Sequence, residues 1–151
     1  MFASIKGDVL SKIDEMRDEL ITLSTREVVV GIPAESDEIR DGINLASIAM
    51  VLEYGSPAKN IPSRPFLRQT LIERQDEYVA FYKKQMDDGK TAEQAMKLLA
   101  KKAQADVQDN IVKGRWAPNS ALTVGLKGSS KPLIDTGSMR QAIRGIVRDK
   151  E

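Results

Sequence analysis

Leu133-Ile134-Asp135-Thr136-Gly137-Ser138 is the stretch of this 151-residue chain whose residue types and order come nearest to spelling out a reaction. Two apolar residues lead into Asp-Thr-Gly, the loop in which the carboxylate of an aspartic protease shares a proton with a twin. A homodimer would supply the second aspartate. Position counts against it, because only 14 residues follow Gly137 and that chemistry needs a flap and further core strands after the loop. The plainer reading has Asp135 and Thr136 capping a short helical turn through Gln141, with Gly137 relieving a tight backbone.

Other chemistries are narrowed by what is missing. The chain has no cysteine and no histidine. It therefore has no disulfide framework, thiolate nucleophile or zinc-thiolate site, and lacks the usual general base near neutral pH. No metal ligand set or cofactor site is expected, and Gly125-Leu126-Lys127-Gly128 lacks the spacing of a P-loop. Lys113, Arg115, Lys127 and Lys131 lie with Trp116 in a stretch rich in Gly, Ser, Asn and Lys. Basic residues beside an aromatic could touch phosphate, so a nucleic-acid-binding module is the alternative function. The first expectation for this loop is contact with a subunit or partner; plain solvation also stands. A net charge of +1 gives no global pull toward nucleic acid or membrane. Glu15, Asp18, Glu19, Lys101 and Lys102 read as solvated helix surface.

Composition and periodicity set the scaffold. With 41% hydrophobic and 30% charged residues, the chain suits one globular domain spanning 1–151. No apolar run approaches the roughly 20 residues of a membrane span, and residues 1–25 carry no signal-peptide core, so synthesis and folding in a reducing cytoplasm are expected. Ile5, Val9, Ile13, Met16, Leu20 and Leu23 form a narrow apolar seam on an N-terminal helix (1–25). That seam reads first as lying on the chain's own core, with docking on a neighbouring subunit as the alternative. Residues 26–112 hold a strand and helical core. Arg26 to Ile32 reads as a strand stopped by Pro33, and Ala34 to Gly42 as a polar loop. Asn44 can cap a helix striped by Leu45, Ile48, Ala49 and Leu52, and Gly55 sits where a terminator belongs. Leu67 to Met86 reads as one long helix. Thr91 and Gln94 form a capping box ahead of a stripe of Ala95, Leu99, Ala103, Val107 and Ile111 ended by Gly114. A long loop (113–134) follows, then a short helix and a closing strand from Ala142 to Arg148 (135–151), with Ile146 on the face opposite Ile143 and Val147.

Between the capped helix and the long one, Ile61-Pro62-Ser63-Arg64-Pro65-Phe66-Leu67 forms a stiff connector. Its prolines fix φ near −65° on both sides of Ser63 and Arg64, so the connector is expected to present the Arg64 guanidinium for docking. Phe66 and Leu67 would anchor its far side. Glu53-Tyr54-Gly55 and Ile61 to Arg68, with Val28 to Ile32 upstream and Trp116-Ala117-Pro118, Thr123, Lys127 and Pro132 to Gly137 downstream, resemble the tail-completion or neck proteins of long-tailed bacteriophages. The resemblance covers roughly residues 28–146.

That resemblance implies an α+β fold, with a small, mainly antiparallel sheet packed against several helices. It implies a non-enzymatic virion protein at the neck or tail end, which joins head to tail within a ring of its own copies around the DNA channel. Neighbouring head–tail connector and tail proteins would be its partners, with non-specific contact to packaged DNA through the loop. Tyr54, Arg64, Phe66, Trp116, Lys127 and Asp135 are the interface residues expected on this reading. Trp116 stands equally as a core anchor.

Overall fold

The structure, a computed structural model, describes residues 7–40, 42–116 and 137–151. Its fold is α+β, with six α-helices and two small antiparallel ribbons among the described residues. The main ribbon pairs β1 (Arg26–Gly31) with β4 (Arg144–Asp149), setting Val28 opposite Val147 and Val30 opposite Gly145. Three successive β-branched valines favour this pleated, half-buried surface. Arg148 pairs with Glu27 across the strands at 2.8 Å. As expected, Ile146 points away from the face that carries Val147. The helix ahead of β4 runs through Ala142, so the strand begins two residues later than its composition suggests.

A two-stranded ribbon is marginal alone and needs a helix on one face. Helix α5 (Ala92–Lys113) provides it, opened by the capping box of Thr91 and Gln94 and closed at Gly114. Its buried stripe includes Ala95, Ala100, Ala103, Val107 and Ile111. The small residues let the ribbon approach closely. A Cβ on Gly145 would fall 2.0 Å from the Ala100 carbonyl oxygen. The Gly145 N–H donates to Gln104 Oε1 at 2.9 Å, so α5 also pairs backbone that the ribbon leaves open. Leu45, Phe66, Val107, Ile111, Met139, Ala142 and Ile143 meet in one core. They come from α2 (Leu45–Tyr54), α3 (Phe66–Glu73), α5, α6 (Gly137–Ala142) and the residue preceding β4.

Three expectations need correction. The polar stretch after Pro33 holds a 3₁₀ turn and a second ribbon, β2 (Ile39–Arg40) against β3 (Ile43–Asn44). Asp37 steadies it by accepting from Ala46 N–H and from the Asn44 side chain, each at 2.8 Å. The long helix is two: α3 stops at Glu73 and α4 (Gln75–Asp87) restarts after Arg74. No Pro or Gly marks the break. Both pieces lie against α5 instead, and the Arg74 side chain reaches Asp106 of α5 and Glu77 of α4. Finally, α1 (Gly7–Thr25) does not lay its apolar seam on the core: Val9, Ile13, Met16, Leu20 and Leu23 are all exposed.

Candidate docking surface

The corner between α2 and α3 is braced by its own backbone. Asn44 caps α2 by accepting from Ser47 N–H, and α2 ends at Gly55 with φ 76° and ψ 178°, a region open almost only to glycine. A Cβ there would also sit 2.7 Å from Ser63 N and 2.8 Å from Ile61 O. Ser56 and Ile61 exchange both backbone hydrogen bonds around a 3₁₀ turn at Pro57–Lys59. Arg64 N–H donates to Leu52 O, and Ser63 Oγ donates to Glu53 O, each at 2.7 Å. Pro65, at φ −75° and ψ 57°, makes an inverse γ-turn in which Phe66 N–H donates to Arg64 O.

Proline cannot cap α3 with its side chain, and Glu53 does so from the neighbouring helix. Its carboxylate accepts from Leu67 N–H and Arg68 N–H, both at 3.0 Å, while 95% of its surface is covered. A buried anion at a helix N-terminus satisfies two orphan donors and meets the positive end of the dipole. Arg68 Nε lies 4.0 Å from the same carboxylate, and its guanidinium stands 5.5 Å from the centre of the Tyr54 ring.

Beside this corner runs an open apolar groove of about 520 Å³. Ile32, Ala49, Phe66 and Leu71 form its floor and sides, and Met50, Tyr54, Arg68 and Ile72 its exposed rim. Tyr54 is 64% exposed and available for contact. Arg64 is not, at 4% exposed, so the connector turns it inward instead of presenting it; burial pushes its pKa down. Phe66 is a buried core residue that also closes the floor of the groove. The two prolines stiffen the connector as expected, but the hydrogen bonds to Leu52 and Glu53 decide which way it faces.

Trp116 packs partly buried against the core, and its Nε1–H donates to Asn110 O at 3.2 Å. Its ring occupies the space a Cβ on Gly114 would need. Lys113 pairs with Asp109 at 2.7 Å and Arg115 is exposed. Lys127, Lys131 and Asp135, with Thr136 of the Asp-Thr-Gly motif, lie outside the described residues. Gly137 opens α6, and among the described residues α6 is followed by β4. Sequence reasoning did not single out Glu53, Met50, Arg68 or Ile72 as site residues. Ala46, Met50 and Tyr54, at steps of four, form a second stripe on α2 that could have revealed the rim. Nothing local signals the reach of Glu53 to α3.

Among the described residues, no group of His, Cys, Asp and Glu could hold a metal ion, and no helix is long and apolar enough to cross a membrane. Comparison with protein families, curated proteins and solved structures finds no match to this chain.

Proposed function

We propose that the chain is a non-enzymatic virion protein that completes the tail or neck of a long-tailed bacteriophage and joins head to tail. It acts as one subunit of a ring around the DNA channel. The observation that carries this reading is the braced corner from Glu53 to Arg68, where the resembling motif lies. Its backbone is tied down by hydrogen bonds, and its free side is an apolar groove rimmed by Met50, Tyr54, Arg68 and Ile72. Exposed apolar surface beside a tyrosine and an arginine is the composition of protein interfaces. Head-to-tail contacts through such a groove are heterologous, and heterologous contacts close into rings when the rotation per subunit allows.

Labelling intact particles with gold-tagged antibody against this chain tests the reading. The label is expected at the head–tail junction, and particles that assemble and infect without the chain would overturn it. In a complementation assay, Tyr54→Ala combined with Ile72→Asp is expected to leave separate full heads and tails while the chain still folds. Neither position supports the core, so full infectivity of that variant would remove the groove from the proposal.

A further inference from the structure

The main ribbon has two edges, and the chain guards only one of them. Lys150 N–H donates to Thr25 O at 2.8 Å, which continues the ladder between β1 and β4 and fixes its parity. Antiparallel pairs alternate between bonded and open, so Glu27, Val29 and Gly31 aim their backbone groups at β4. Those of Val28 and Val30 aim outward, and among the described residues nothing pairs with them. The far edge of β4 is closed in two ways. Gly145 N–H is taken by Gln104 Oε1 at 2.9 Å, and the strand runs out through Arg148, Asp149, Lys150 and Glu151. Charges of this kind are how natural sheets discourage a further strand. Along β1, Val28 to Gly31 carry no charge, proline or bulge, and Pro33 stands beyond the end of the strand.

We infer that the open edge of β1 pairs with β1 of a second copy, antiparallel, about a twofold axis at Val29. There Val28 meets Val30 of the other copy, Val29 meets Val29, and Glu27 meets Gly31. All three valines face valines, and β-branched pairs stabilise a sheet. The neighbouring registers are poorer. An axis at Val28 leaves one valine with a valine partner, an axis at Glu27 sets carboxylate on carboxylate, and an axis at Val30 runs Glu27 onto Pro33. The chosen register also lines up Ile146, Val29, Val29 and Ile146 across one face of a four-stranded sheet. Ile146 is 38% exposed on the single chain, on the side away from α5. Two strands are marginal alone, so the pairing completes a sheet that one chain only begins. Its affinity comes from main-chain hydrogen bonds over a short edge, which makes the dimer weak and concentration-dependent. This inference goes beyond the proposed role in the virion and does not rest on it, since it concerns the isolated chain.

Sedimentation equilibrium from about 1 μM to about 1 mM should show a monomer–dimer equilibrium. Amide exchange over the same range locates the contact. Val28 and Val30 N–H should slow as concentration rises, while Glu27 and Val29 N–H stay protected throughout by β4. Val29→Lys and Val29→Glu each put like charges on the axis, on the face away from α5, and should weaken the dimer by about tenfold or more. An equal mixture of the two variants should associate again, as a heterodimer. Because the chain has no cysteine, Val29→Cys reads the axis directly: residues facing each other in an open pair lie within reach of a disulfide. A chain that stays monomeric to about 1 mM, Val28 and Val30 amides whose exchange ignores concentration, or a Val29→Lys chain that associates as tightly as the wild type would overturn the inference.

Discussion

The α2–connector–α3 corner and helix α1 use similar residues to opposite ends. In the corner, Leu45, Leu52 and Phe66 turn toward the core while Met50 and Ile72 rim the groove, and polar groups are paired close to home: Arg64 N–H to Leu52, Ser63 to Glu53, Glu53 to α3. In α1 the polar side faces the domain and the apolar side faces out. The corner is rigid because its backbone is over-determined. The helix carries i,i+3 ion pairs such as Lys12–Glu15 and Arg17–Asp14, and it meets the domain mainly along α5 and β1. Periodicity thus reveals that a helix has an apolar face, but not which way that face looks. Direction comes from the parts the helix is tied to.

Substitutions in the two regions should therefore separate cleanly. The largest effect is expected at Phe66, in the core at 2% exposure: Phe66→Ala should cost about 3–5 kcal/mol in denaturant unfolding. Glu53→Ala should come next, at about 1–3 kcal/mol, because Leu67 N–H and Arg68 N–H lose their acceptor in a covered site. Its loss should also loosen the start of α3, seen as faster amide exchange at Leu67 and Arg68. Gly55→Ala meets a left-handed φ and two close backbone atoms, and about 1–3 kcal/mol is expected. If Glu53→Ala left stability unchanged, the corner would be held by the prolines and not by the carboxylate, and the contrast with α1 would weaken.

Much of the fold was legible because its determinants are local. Asn44 as cap, Thr91 with Gln94 as capping box, Pro33 as strand stop and Gly114 as helix end each act within a few residues of where they stand. The apolar stripes of α2 and α5 named the core face for the same reason. What was not legible depends on distant partners. The inward turn of Arg64 follows from a hydrogen bond between its backbone and Leu52, twelve residues earlier, which no proline can specify. The break at Arg74 comes from laying two helices on α5, and β2 and β3, two residues each, are too short to show an alternation. At the candidate site, Tyr54 was legible as an exposed aromatic beside a glycine terminator. The groove was not, because α2 and α3 each supply only half of it.

The smallest expected effect gives the sharpest comparison, since one residue type occupies a buried and an exposed helix face. Met96 lies on α5 at 5% exposure and Met16 on α1 at 54%. Met96→Ala should cost about 2–5 kcal/mol, through lost transfer free energy and the cavity left behind. Met16→Ala should stay within about 0.5 kcal/mol when unfolding is followed at low protein concentration, where α1 has no partner. Repeating the measurement at high concentration separates two accounts of the exposed seam. If α1 pairs with a second copy, the wild-type midpoint rises with concentration and Met16→Ala lags behind it, because only the paired folded state gains from the covered methionine. If the seam meets solvent alone, the two midpoints stay together at every concentration. The difference between Met16 and Met96 would then express the fold of a single chain, and not the order in which its surfaces are covered.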